Sequence, residues 1–383
     1  MFSSRLTAST EVNRITRRLR ELRAAGRPIL DLTESNPTRA GIEYPAEEIA
    51  GLLADPRALT YEPEPAGLPP AREAVAAYYA ERGEQVDASR ILLTASTSEG
   101  YAYLFKLLAN PGDEVLAPRP SYPLFEFLAS LEAVRVVQYP LLYDGAWAID
   151  CEALEHAITP CTRAIVVVNP NNPTGSFLKA GELEQLLRLC RRCDLAIISD
   201  EVFSDYTFGD DPRRVRMLAN TEGVVTFSLS GLSKIAGLPQ IKLGWMIVNG
   251  PREVFERMEF IADTYLSVST PVQWAAAGLL ALRPAIHSQI QRRVRANFDR
   301  LRAAFGAQSA IRVLNVEGGW YATLQVPRTR NEEDWTLALL DDGVLAQPGF
   351  FYDFEAEAFL VVSLLTPEAI FADGIGRIGR LSE

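Results

Sequence analysis

Histidine and cysteine are scarce in this 383-residue chain, and their scarcity removes whole classes of chemistry. Two histidines, His156 and His287, stock neither a zinc site nor a histidine-based triad well. Four cysteines are too few and too scattered for a disulfide framework. Cys190 and Cys193 do form a CxxC, but no second pair accompanies it and it closes an expected helix over 181–192, so it reads as packing. No apolar run approaches the roughly 20 residues of a membrane span, and the opening MFSSRLTASTEVNR lacks the apolar centre of a signal peptide, so a cytoplasmic protein without membrane contact is expected. Basic charge is also short. With 38 Lys and Arg against 49 Asp and Glu the net charge is -11, the wrong balance for a broad phosphate-backbone surface, and no nucleic-acid partner is expected.

What remains is a globular composition, 48% hydrophobic and 23% charged, in a chain longer than one ordinary core supports. From about residue 90, short β-rich apolar runs alternate with helical patterns, the signature of an α/β unit with a mainly parallel sheet. The expected strands cover 90–95, 114–118, 134–138, 163–169, 195–199, 224–230 and 243–248, with helices over 99–109 and 180–192 between them. Long helices are expected over 252–266 and 271–303, the second interrupted near Pro284. A helix over 10–25 and a strand over 29–32 are too little to stand alone. They are expected to join the mixed C-terminal part, giving a large unit over 40–285 and a small one built from 1–39 and 286–383.

In open parallel sheets, ligands sit beyond the carboxyl ends of the strands. Polar residues directly following the apolar runs are therefore the candidates. The first run ends in Ser96-Thr97-Ser98-Glu99, whose hydroxyls and free amides suit an anion, or simply a helix cap. The second leads to Pro120-Ser121-Tyr122-Pro123, a stiff loop presenting an aromatic ring. The run over 163–169 continues as Asn169-Pro-Asn-Asn-Pro-Thr-Gly175, a rigid turn able to aim the Asn172 amide. The run over 195–199 delivers Asp200 in an apolar context, where a carboxylate is costly unless it meets a cation. The run over 224–230 is followed by Ser233-Lys234. A lone Ser-Lys pair is ordinarily a surface feature, but five such positions together supply an anion cradle, a stacking ring, an amide, an acid and an amine. That inventory suits pyridoxal 5′-phosphate, which needs its phosphate anchored, its pyridinium nitrogen kept protonated and its aldehyde held by a lysine.

From about residue 28 onward the chain also resembles the fold type I pyridoxal-phosphate enzymes, within them the class I/II aminotransferases. The resemblance is carried by YEPEPAGLPPAREAVAAYY (61–79), PGDEVLAPRPSYP (111–123), NPNNPTG (169–175), SDEVF (199–203) and SGLSKIAGLPQIKLGW (230–245). It implies an α/β large domain with a mainly parallel seven-stranded sheet between helices, plus a small α+β domain. It implies that Lys234 holds the cofactor as a Schiff base and shuttles the proton between substrate Cα and cofactor C4′. It further implies that Asp200 pairs with the ring nitrogen, Asn172 bonds the phenolic oxygen, Tyr122 stacks on the ring, and Thr97, Ser98 and Lys242 hold the phosphate. Tyr61 matches a tyrosine that reaches the neighbouring subunit's phosphate, so a homodimer with shared active sites is implied. The implied reaction is a ping-pong transfer of an amino group from an amino acid to a 2-oxo acid.

Three departures bear on the reaction. Phe203 stands where the family usually has a tyrosine, leaving one bond to the phenolic oxygen unmade. Lys242 replaces an arginine, a point charge in place of a bidentate fork. Val361, in Val361-Val362-Ser363-Leu364-Leu365-Thr366-Pro367, replaces the arginine that clamps the substrate α-carboxylate. Either another cation, with Arg39 on the loop after Ser35 the choice, takes that carboxylate, or the substrate is not an ordinary α-amino acid. The lost clamp keeps rival pyridoxal-phosphate reactions in view, namely C–S or other β/γ-eliminating lyase, oxidase and decarboxylase. A regulator using this fold as a ligand sensor is a further alternative, disfavoured because fewer than thirty residues precede the resemblance.

Overall fold

The computed structural model describes residues 3–6, 11–356 and 358–382. Its centre is an eight-stranded sheet. From edge to edge the strands are Ile91–Thr94, Gly244–Asn249, Thr226–Gly231, Ala196–Asp200, Thr162–Val168, Glu114–Arg119, Arg135–Tyr143 and Trp147–Ile149. The middle neighbours run parallel, while Gly244–Asn249 and Trp147–Ile149 run against theirs. The central strands are buried along their length, as continuous Val, Ile and Leu runs covered on both faces should be.

The expected seven strands become eight because the short Trp147–Ile149 folds back on Leu141–Tyr143, too few residues to show an alternation of its own. The strand expected over 134–138 likewise continues through Pro140 to Tyr143. The first helix is Arg14–Ala24, capped by the Asn13 side chain accepting from Thr16 N at 2.8 Å, and position 10 of the expected 10–25 helix lies outside the described residues.

Pro284 does not interrupt its helix. Thr270–Ala304 is one helix of 35 residues with Pro284 inside. An internal proline removes one backbone bond and costs about 3 kcal/mol or more. Leu279, Leu280, Ile286 and Ile290, all buried on either side of it, offset that by removing apolar surface from water.

Leu30–Asp31 pairs in parallel with Val344–Leu345. A four-stranded antiparallel sheet has the order Arg312–Val313, Tyr321–Gln325, Phe359–Ser363 and Gln347–Pro348. Its Tyr321 end faces the carboxyl edge of the large sheet, where the Phe203 ring lies 6.2 Å from that of Tyr321. Among the described residues no helix is long and apolar enough to cross a membrane.

Candidate active site

Strand direction alone brings the candidates together. Gly231, Asp200, Val168 and Arg119 end parallel strands on one edge, and Thr94 ends there too, in register with Gly244 and, beyond it, Gly231. The edge is tight. A Cβ on Gly244 would lie 3.0 Å from the Ser96 carbonyl carbon, and one on Gly231 would lie 2.9 Å from the Gly244 Cα. Glycine at both positions lets the turn after Thr94 press against Gly244, and Gly244 in turn against the strand that leads to Lys234.

Lys234 sits on the helical turn Leu232–Ile235, half-buried rather than on the surface. Its Nζ lies 5.1 Å from the centre of the Trp320 ring and 5.4 Å from that of Phe203. Loss of solvent pulls the amine down to about 8, a shift that the nearby Asp200 carboxylate partly opposes. Asp200, the last residue of its strand, accepts hydrogen bonds from the Tyr101 hydroxyl and the Val202 backbone N–H, both at 3.2 Å. Burial pushes its carboxyl up to about 6 in spite of those bonds and of Lys234. An amine drawn down and an acid drawn up on one edge, both titrating far closer to neutrality than usual, form the pattern of perturbed groups that marks sites of proton transfer.

The turn after Val168 is rigid for reasons that can be counted in bonds. Gly175 N donates to Asn171 O at 2.8 Å, Asn171 N to Ser176 O at 2.8 Å, and the Thr174 hydroxyl to Asn171 Oδ1 at 2.9 Å. Gly175 has φ +69°, and a Cβ there would strike Gly318 O at 2.6 Å. Asn172 is held buried by this turn, its Oδ1 without a partner among the described residues. Ser121 Oγ and Ser230 Oγ, at the ends of two other strands on the same edge, are buried and without a partner among the described residues as well. Unmade bonds of this kind in a buried edge point to a ligand that makes them.

At the first run the helix begins at Thr97, two residues earlier than expected, and Ser96 is its cap. Ser96 Oγ accepts from Glu99 N at 3.3 Å, and Glu99 Oε2 accepts from Ala95 N at 2.7 Å. Cap and anion readings are therefore compatible: Ser96 and Glu99 take the capping bonds, while Thr97 and Ser98 occupy the first turn, half-buried, at its positive end. Tyr122 is 46% exposed, Tyr61 is 74% exposed, and Lys242 is exposed on a left-handed residue that ends a short turn.

Val361 is fully buried and lies in register between Thr323 and Gln347. The Thr323 hydroxyl is buried without a partner among the described residues, and Gln347 accepts from the Tyr352 hydroxyl. Ser35 lies against Tyr321, whose hydroxyl is raised to about 12 by burial and drawn back by Ser35. Arg39 is exposed. Tyr101, Trp320 and Tyr206 were not legible as site residues. Tyr101 had a signal, since it stands one turn after Thr97 on the apolar face shared with Phe105, whereas Trp320 comes directly after Gly318-Gly319 with no local mark of function.

An amine and an acid on one sheet edge, among buried polar atoms left unpaired, define a site for a polar ligand that carries both an electrophile and a proton acceptor. The chain belongs to the class I and II aminotransferase family, whose sequence profile matches residues 27–370. It is 30% identical over 267 residues to the glutamate-pyruvate aminotransferase AlaA of Escherichia coli (strain K12), covering 68% of this chain and 65% of that relative's length. It is 28% identical over 330 residues to the tyrosine aminotransferase of Homo sapiens, covering 83% of this chain and 72% of the human protein. The fold superposes on the alanine aminotransferase from Pyrococcus furiosus with a TM-score of 0.89 at 24% identity, over 100% of this chain and 99% of that one. The large sheet and small sheet are thus those of fold type I.

Proposed function

We propose that this protein is a pyridoxal-phosphate-dependent aminotransferase that moves an amino group from an amino acid to a 2-oxo acid by a ping-pong mechanism. The observation that carries the reading is that Lys234 and Asp200 face each other's charge at one sheet edge, the amine near 8 and the acid near 6. The residues present fit the cofactor. Asp200 is an acid whose charged form burial still penalises, Asn172 has an unpaired polar atom, and the first turn at Thr97 and Ser98 has N–H groups for a phosphate.

When bound, pyridoxal phosphate supplies an aldehyde that takes up the amino group and a conjugated ring that accepts the electron pair released at Cα. Lys234 would hold that aldehyde and, once released from it, would carry the proton at substrate Cα, its amine titrating near 8 and so far more readily deprotonated than an ordinary lysine. Asp200 holds a proton on the ring nitrogen, and Tyr101 fixes the carboxylate that does so. Asn172 bonds the phenolic oxygen, Tyr122 stacks on the ring, and Thr97, Ser98 and Lys242 bind the phosphate. Tyr61, exposed in one chain, reaches the phosphate of a partner subunit in a homodimer with shared active sites. Residues 40–285 form the large unit, and 1–39 with 286–383 the small one, in line with the pairing of Leu30–Asp31 and Val344–Leu345. Cytoplasmic placement belongs to the same proposal and is supported by four free cysteines.

The test is a half-reaction. Holoenzyme mixed with a panel of amino acids and no acceptor is expected to lose its visible band stoichiometrically and yield aminated cofactor and one oxo product per site. Catalytic release of pyruvate with ammonia, or of peroxide, would instead make it a lyase or an oxidase. For the substrate carboxylate, Arg39 takes the place of the missing clamp, working beside Ser35 and Asn172. Arg39→Ala is expected to raise the KM of the amino donor by about 10-fold or more, the scale of a charge-assisted bond. Unchanged KM and kcat would remove Arg39 from the site.

A further inference from the structure

The turn that carries Lys234 is four residues long, too short to hold its own shape. Two tyrosine hydroxyls reach it from distant parts of the chain. Tyr206 donates to the Lys234 carbonyl at 2.7 Å, and Tyr44 donates to the Gly237 carbonyl at 2.7 Å, just beyond the end of the turn. Gly237 N itself bonds the Lys234 carbonyl at 3.1 Å, so the two anchored carbonyls belong to one closed loop of backbone.

Tyr206 is a rigid anchor. Its ring is fully buried, stacked on His287 at 4.7 Å and set edge-on to Trp320 at 5.2 Å. Its own backbone is tied at both ends, N to Phe203 O at 2.9 Å and O to Gly319 N at 2.9 Å. The preceding residue, Asp205, is buried and holds Arg82 at 2.9 Å, Arg283 at 3.3 Å and the Tyr78 hydroxyl at 2.9 Å. The helices Pro69–Glu81, with Arg82 at its end, and Thr270–Ala304 thereby fasten the segment that begins at Asp200. That segment in turn fastens the backbone of Lys234.

We propose that Tyr206 and Tyr44 are positioning residues that clamp the Lys234 turn, with Tyr206 fixing where the amine stands relative to Asp200. The inference rests on the proposed role of Lys234. Proton transfer from a misplaced group falls steeply, a 1 Å error costing up to roughly 100-fold. Tyr206→Phe keeps the ring and its packing and removes only the hydroxyl. A matched control exists in Tyr139, whose buried hydroxyl also donates to a backbone carbonyl, that of Val166 at 2.8 Å, within the sheet and away from Lys234.

In the holoenzyme, Tyr206→Phe is expected to lower kcat by about 10-fold or more with KM within about twofold, and to speed cofactor release on dilution, tracked by loss of the visible band, by about fivefold. Tyr139→Phe is expected to lower Tm to a similar extent and leave kcat and cofactor release as they were. Equal kinetic losses in the two variants, or a Tm change in Tyr206→Phe without a kcat change, would overturn the clamp. Should Tyr206→Phe fail to fold, Tyr44→Phe, at a half-buried site on the other end of the turn, carries the same test. Survival of the visible band in Lys234→Ala would strike at the role of Lys234 itself, a failure distinct from that of the clamp.

Discussion

Lys234→Ala is expected to abolish turnover, by on the order of 10⁴-fold or more, because in the proposed reaction one side chain serves both as the covalent tether and as the proton carrier. The reconstituted variant should bind cofactor without developing the visible band of a lysine linkage. Persistence of that band would place the tether elsewhere. The cofactor-free wild type offers a second view of the same residue. Burial penalises the ammonium form, so the amine titrates near 8 instead of in the ordinary lysine range, with Asp200 holding it from falling further. Modification of Lys234 by an amine-directed reagent, located by mass spectrometry, should therefore rise through a midpoint near pH 8, while surface lysines stay protonated and slow there. A midpoint above pH 10 would mean that the amine is solvated, and unfit to shuttle protons at neutral pH. A cation whose folded-state pKa is depressed costs stability below that pKa, so this group's penalty is present at pH 7 and relieved as pH rises past about 8.

The strands' positions along the chain and the placing of Lys234, Asp200 and Asn172 just past or at strand ends were legible because they depend on local signals. Continuous apolar runs mark buried parallel strands, and the residues just past each run land on one edge whatever the details of packing. Where expectation and fold part, the deciding forces are long-range. Pro284 looked like a break because its cost is local and visible, while the burial of Leu279 and Ile290 that offsets it depends on the rest of the fold. Trp147–Ile149 is held by its partner strand and not by its own pattern. Tyr206 and Tyr44 were invisible for the same reason, since they act through a backbone carbonyl, which carries no side-chain signature in sequence. The surroundings of Val361 were half legible. The loss of arginine at Val361 can be read directly, but not that its neighbours across the sheet are Thr323 and Gln347.

Asp200→Asn should separate function from stability in the same molecule. Turnover is expected to fall by on the order of 10³-fold, since in the proposed site an amide would not keep the ring nitrogen protonated and the electron sink would be lost, a loss comparable to removing a principal electrostatic group from other active sites. The cofactor-free protein should respond in the opposite sense. Burial raises the Asp200 carboxyl from 3.8 to about 6, so the folded state binds more protons than the unfolded chain between those values. Its contribution is therefore most favourable below pH 3.8 and is lost as pH rises to about 6, where the charged form is enclosed at a cost. Asparagine escapes that cost. It keeps an oxygen for Val202 N and offers Tyr101 an N–H in place of an acceptor. Thermal unfolding of the cofactor-free proteins should thus find Asp200→Asn more stable than wild type at pH 8, with the advantage gone at pH 4. In the presence of cofactor the order at pH 8 should reverse, because only the carboxylate meets the ring cation. A variant less stable than wild type at pH 8 without cofactor would show that Tyr101, Val202 and Lys234 already satisfy the charge, and that Asp200 carries no strain for a ligand to relieve.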